Sequence, residues 1–120
     1  MGWPKKREVR DTGIVVRSGI EEKFCELLLD KKLDFYYEPF KIEGDDLNYI
    51  PDFLVEDKIL VELKGRATDK DVKKGELVED YQYIIVGDTD IERIPADEHF
   101  DFNNELEKSL LYILSKVNSP

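Results

Sequence analysis

Apolar residues recur every three to four positions over 18–32, where Ile20, Phe24, Leu27 and Leu28 form one stripe with Cys25 and Leu29 beside it. Ser18 stands where an N-cap belongs, so the spacing predicts a helix with one buried face. Residues 35–42 change character to aromatic and extended, but Pro39 removes a ladder donor and predicts an edge strand or a bend. Gly44, Asp45 and Asp46 end that run as a turn. Two further strands are expected at about 48–55 and 59–64, separated only by Glu56, Asp57 and Lys58, which reads as a hairpin. The charged segment 69–80 predicts an exposed helix in spite of Gly75. Tyr83, Ile84, Ile85 and Val86 are continuous apolar positions, as expected of a strand covered on both faces. Leu106, Leu110, Ile113, Leu114 and Val117 make the stripe of a closing amphipathic helix at 103–117. The order α-β-β-β-α-β-α implies an α/β (α+β) fold, a mixed sheet flanked by helices.

Composition narrows the setting. A length of 120 residues with 41% hydrophobic content predicts one domain over 1–120. No apolar run is long enough to span a bilayer and no apolar leader follows the basic start, so a soluble, unprocessed protein without a membrane partner is expected. Cys25 has no second cysteine to pair with and no histidine near it in sequence, which favours helix packing over nucleophilic chemistry and a reducing, cytoplasmic setting. The formal net charge of -10 argues against a general polyanion binder. Its distribution is uneven, however. Residues 1–20 hold five basic residues (Lys5, Lys6, Arg7, Arg10 and Arg17) against Glu8 and Asp11, whereas residues 88–107 hold eight acids against Arg93. The plain reading is a solvated acidic face and a basic terminal segment.

The chemistry is expected in the hairpin. Alternate residues of a strand share a face, so Glu62 and Lys64 are presented together while Val61 and Leu63 point to the other, apolar side. If the turn is the odd-numbered 56–58, Asp52 falls directly opposite Glu62; a one-residue slip sends it to the other face. Two carboxylates crowded on one face repel each other unless a cation lies between them, and hard oxygen ligands suit Mg²⁺, with Mn²⁺ as a substitute. Such a centre hydrolyses phosphodiesters, with Lys64 positioning water or offsetting charge on the phosphorane. An acid and a base two apart on a solvent-facing strand are otherwise an ordinary pair worth under roughly 1 kcal/mol. What favours catalysis is Pro51-Asp52, followed ten residues later by Glu62-Leu63-Lys64-Gly65 behind the apolar Ile59-Leu60-Val61.

That arrangement resembles the signature of the PD-(D/E)xK nuclease superfamily. Arg17-Ser18-Gly19-Ile20-Glu21, Tyr37-Glu38, Tyr49-Ile50-Pro51-Asp52-Phe53-Leu54, Val61-Glu62-Leu63-Lys64-Gly65 and Asp71-Val72-Lys73-Lys74 together resemble the phage endonuclease I family of Holliday-junction-resolving enzymes, over roughly residues 5–86. The resemblance implies a restriction-endonuclease-like core, metal ligation by Asp52, Glu62 and the Leu63 backbone carbonyl, and Lys64 as the catalytic lysine. It also implies that Glu21, with Glu22 as the alternative, completes the site as a catalytic and metal-facing glutamate. Ser18-x-x-Glu21 has a rival reading as a capping box. A homodimer acting on four-way or branched DNA is implied as well, with residues 1–17 at the dimer or DNA contact. Lys5, Lys6, Arg7, Arg10, Arg17, Lys70, Lys73 and Lys74 would then meet phosphates, and recognition would depend on DNA shape. The acidic stretch 88–107 should lie away from such a site or shield it from unbranched duplex.

Three functions follow from these residues. The first is a metal-dependent junction-resolving endonuclease. The second is a PD-(D/E)xK endonuclease with another DNA target, such as a transposon end, a mismatch or a restriction site. The third is a nonenzymatic DNA-binding or inhibitory protein. His99, the aromatic cluster Phe35, Tyr36, Tyr37 and Phe40, and Cys25 are expected to be structural, while Trp3 is left between a dimer contact and no fixed place.

Overall fold

The computed structural model describes residues 7–10 and 12–118; Trp3, Lys5 and Lys6 lie outside them. Its centre is a five-stranded sheet in the order β3-β6-β7-β8-β9, formed by Phe35–Tyr37, Phe53–Val55, Ile59–Arg66, Gln82–Thr89 and Glu98–Asp101. The strands β3, β6 and β7 pair antiparallel, whereas β7-β8 and β8-β9 are parallel. The sheet is therefore mixed, as expected. Two small ribbons accompany it: β1 (Arg7–Glu8) with β2 (Val15–Val16), and β4 (Ile42–Glu43) with β5 (Asn48–Tyr49).

Alternation along β7 and β8 builds two cores. Val61, Leu63, Ile84 and Val86 face a cluster with Phe24, Cys25 and Leu28 of helix α1 (Gly19–Asp30) and Leu110 and Ile113 of α3 (Leu106–Val117). Leu60, Tyr83 and Ile85 face Tyr49 of β5 together with Ile91 and Ile94; Leu77, just past α2 (Asp69–Glu76), packs against them. A strand buried on both sides reads as a continuous apolar run, which is why 83–86 was legible and extends to Thr89.

The hairpin register is the one on which the sequence argument depends. Phe53 pairs with Val61, Leu54 with Leu60 and Val55 with Ile59, so the next pair along the ladder is Asp52 and Glu62. The turn is fixed by left-handed backbone at Glu56 and Asp57, by Lys58 N–H donating to the Val55 carbonyl at 3.0 Å, and by Glu56 taking the Asp34 N–H.

Several expected boundaries are corrected. The strand foreseen at 48–55 is two pieces: Asn48–Tyr49 joins β4 and Phe53–Val55 joins the main sheet, with the break at Ile50, Pro51 and Asp52. Pro51 has no N–H to give a ladder, and the pause lets one segment serve two sheets. The aromatic run 35–42 divides likewise, into β3 and β4 on either side of Glu38, which adopts a left-handed conformation, and Pro39. Helix α2 ends at Glu76 rather than 80 and is not wholly exposed, because Asp71 and Gly75 are buried. Gly75 is needed there: a Cβ would lie 2.9 Å from the Pro95 carbonyl oxygen. Helix α3 begins at Leu106 rather than 103. Strand β9 was missed because it is an edge strand in which only Phe100 is buried, so no apolar period marks it.

Candidate active site

The site forms where β7 runs past the end of β6. Beyond Val61 the neighbouring chain is no longer a strand but the Pro51-Asp52 break, and the ladder is continued by a side chain: Leu63 N–H donates to Asp52 Oδ2 at 2.8 Å. In an extended strand the N–H and C=O of one residue point to the same neighbour, so the Leu63 carbonyl also faces Asp52. On its other side Asp52 is anchored by its own carbonyl, which accepts the Glu38 N–H at 2.8 Å.

Glu62 and Lys64 occupy the face of β7 opposite Val61 and Leu63, as the alternation predicts. Each is held by a different neighbour. Tyr49 Oη donates to Glu62 Oε1 at 2.5 Å, and the Tyr49 and Tyr83 hydroxyls lie 2.8 Å apart. Lys64 Nζ is 3.2 Å from Asp71 Oδ1. Asp71 is buried in the first turn of α2, where its Oδ2 accepts both the N–H and the hydroxyl of Thr68 at 2.8 Å, so one carboxylate closes the helix and holds the lysine. Burial opposes charge on Asp71, but the Thr68 donors and Lys64 outweigh it and hold the group below the usual carboxylate range. Gly87 lets β8 approach at this point: a Cβ there would fall 2.1 Å from the Lys64 carbonyl oxygen.

The electrostatics of the pair are unfavourable as they stand. Burial, then repulsion from Glu62, pushes the Asp52 carboxyl well above its ordinary value, and Glu21 and Glu38 add to the repulsion. Burial likewise raises Glu62 to about 7, against the lowering effects of Tyr49, Lys74 and Lys64. Two adjoining hard-oxygen donors that resist ionisation fit a divalent cation, which would relieve both. Among the described residues no three His, Cys, Asp or Glu side chains form a cage by themselves. A cation of the Mg²⁺ class, which keeps waters and takes phosphate oxygens, suits a two-carboxylate site.

Glu21 is 9% exposed in the first turn of α1 and within electrostatic reach of Asp52. Its backbone N–H donates to Ser18 Oγ at 3.2 Å, as in a capping box, but its Oε1 accepts from Arg17 N–H at 2.9 Å and Tyr37 Oη at 3.1 Å rather than from Ser18. Glu22 turns away to an ion pair with Arg7 at 3.2 Å. Of the two glutamates, Glu21 is the one near the pair.

The basic residues expected at DNA divide into two groups. Arg7 pairs with Glu22, Arg10 with Asp30 at 2.9 Å and Glu26 at 3.7 Å, and Arg17 with Glu38. Lys70 and Lys73 are exposed on α2, and Lys74 Nζ lies 5.6 Å from the centre of the Tyr49 ring. Sequence reasoning missed Asp71, Tyr49, Tyr83 and Glu38 as neighbours of the site. Thr68-x-x-Asp71 was a signal for the first, since a capping box that begins four residues past Lys64 starts a helix beside it. The tyrosines gave none, because their meeting depends on how β5, β7 and β8 assemble.

Residues 1–91 match the model of a family described as phage endonuclease I. Endonuclease I of Escherichia phage T7 is 39% identical over 66 residues, which is 52% of this chain and 44% of that protein. Endodeoxyribonuclease 1 of Enterobacteria phage T3 is 39% identical over 70 residues, 55% of this chain and 46% of the relative. In both cases the match spans less than half of the relative's own length.

Proposed function

The chain belongs to the phage endonuclease I family, and from that premise we propose that it is a divalent-metal-dependent endodeoxyribonuclease of the PD-(D/E)xK type that cuts branched DNA, four-way junctions above all. The observation that carries the reading is the register that sets Asp52 beside Glu62, with Lys64 on the same face.

Asp52 and Glu62 are the side-chain ligands for Mg²⁺ or Mn²⁺, and the Leu63 carbonyl, on the Asp52 side of β7, is a third oxygen. A divalent ion supplies Lewis-acid polarisation of the scissile phosphate and activation of water at neutral pH. Lys64, held through Asp71, brings a fixed positive charge to the nucleophile and to the charge developing on phosphorus. Glu21 is within electrostatic reach of Asp52, and its charge strengthens the demand for a cation. The exposed Lys70 and Lys73 of α2, the helix that carries Asp71, meet the phosphate backbone, as does the basic N-terminal segment. Contacts of that kind carry no base sequence, which supports recognition by shape. A junction presents two strands to cut, so the working unit is a homodimer.

The test is incubation with Mg²⁺ and matched four-way, mismatched and linear duplexes. Paired symmetric nicks confined to the four-way substrate are expected. Cuts at mismatches or fixed sequences would replace junction selectivity with another DNA target, and absence of cutting at every metal concentration would leave a binding protein.

A further inference from the structure

Glu62 is the only member of the pair contacted by a buried tyrosine hydroxyl, and that hydroxyl is itself contacted by another. Tyr49 and Tyr83 are 2% and 3% exposed, and their rings meet edge to face with centroids 6.3 Å apart. As a metal ligand Glu62 is ionised and can only accept, so Tyr49 donates its one proton to Glu62 Oε1. The Tyr49 oxygen is then left as acceptor, and the only proton available across the 2.8 Å contact is that of Tyr83. The polarity of the chain is fixed as Tyr83 to Tyr49 to Glu62. Lys74 Nζ lies over the Tyr49 ring, 5.6 Å from its centre and within cation–π range.

We propose that Tyr49 and Tyr83 are positioning residues for the metal site: Tyr49 pins Glu62 through Oε1 so that the carboxylate is held ready for a cation, and Tyr83 orients the Tyr49 proton. The proposal rests on the reading of Asp52 and Glu62 as metal ligands. Neither tyrosine touches the reacting atoms. Their contribution is preorganisation: a glutamate with three free torsions would otherwise lose ligand geometry to rotamer exchange, and a hydrogen-bonded partner behind a ligand commonly sustains affinity by an order of magnitude or more. The arrangement also explains why two tyrosines, rather than phenylalanines, occupy an otherwise apolar cluster with Leu60, Ile85 and Ile94, since each hydroxyl there has a partner.

The experiment is titration calorimetry of Mn²⁺ into the full chain, with wild type, Tyr49→Phe, Tyr83→Phe and the double variant, alongside thermal melts without metal. Wild type should bind Mn²⁺, Tyr49→Phe about tenfold more weakly, and Tyr83→Phe about threefold more weakly. In the double variant, Tyr83→Phe should add nothing to the effect of Tyr49→Phe, because the second hydroxyl acts only through the first. A purely structural role would lower the melting temperatures while leaving Mn²⁺ affinity unchanged in both single variants, and that result overturns the proposal. Additive losses in the double variant would overturn the ordered chain. Absence of Mn²⁺ binding by wild type would instead remove the metal-site reading on which the proposal stands.

Discussion

Two regions of the molecule are rich in acids, and they differ in what answers the charge. Over 88–107 the acids either meet donors nearby or, like Asp88, Asp90, Glu92 and Glu98, stand exposed to solvent. Asp97 accepts the Tyr83 N–H at 2.8 Å, Asp101 takes the Asn103 N–H and the Asn104 side chain, and Glu105 takes the Asp101 N–H at 2.9 Å. These acids cap turns and strand ends, on the edge strand β9 or its approaches, two strands from β7. At the Asp52-Glu62 pair the acids are fewer but buried; burial raises the pKa of both, and repulsion from Glu62 raises Asp52 further. Density of negative charge in the sequence therefore points to the wrong region. Charge removed from water without a cation marks the site.

The comparison breaks most decisively at Asp52. Asp52→Asn removes a ligand charge while keeping the side-chain volume, so cleavage of a four-way junction should fall by at least about 10³-fold while binding in a gel shift is kept. Persistent metal-dependent cutting by this variant would move the active site elsewhere. Next in size is Asp71→Asn, which cuts the ion pair to Lys64. Turnover should fall by on the order of 10- to 100-fold with KM nearly unchanged, and melting should register the weakened cap of α2, about 1 kcal/mol. A rise in KM at constant turnover would assign Lys64 to binding instead.

A third prediction concerns pH. A carboxyl whose folded pKa is raised keeps a proton in the native state that the unfolded chain has released, so it favours folding at low pH and the advantage is lost as pH rises. For Glu62 that window runs from its ordinary 4.5 to about 7, with Asp52 moving in the same direction. The melting temperature of metal-free protein should decline by several degrees between about pH 5 and 8, and Mn²⁺ should restore it at pH 8 but hardly at pH 5. A metal-free melting temperature that rises across this interval would contradict the electrostatic picture. The smallest effect belongs to the other acidic region: Glu92→Gln with Glu98→Gln, both exposed, should change stability by less than about 0.5 kcal/mol and leave junction and linear-duplex cleavage unaltered. Increased cutting of linear duplex would show that this surface shields the site after all.

Much of this was legible because local rules were obeyed. The stripe from Ile20 to Leu28 gave α1, the unbroken Tyr83 to Val86 gave β8, and the three-residue turn gave the register of Asp52 against Glu62. The resemblance to junction-resolving nucleases, carried by motifs between residues 5 and 86, agrees with a family match over 1–91. What stayed hidden depends on assembly rather than period. Strand β9 has one covered side chain, the ribbons are two residues per strand, and Pro51 splits a segment that alternation alone reads as continuous. Tyr49 reaches Glu62 from 13 positions away in sequence, and Tyr83, 21 positions away, reaches it only through Tyr49, so three different strands are involved. The capping role of Asp71 was visible in Thr68-x-x-Asp71, but its second oxygen on Lys64 was not.

The most direct test of the central claim is Mn²⁺ binding measured by calorimetry at pH 8 on wild type and Asp52→Asn, in the absence of DNA. Binding by wild type that disappears in Asp52→Asn, with both proteins folded, is the predicted result; equal binding by the two would contradict the assignment of the Asp52-Glu62 pair as the metal centre.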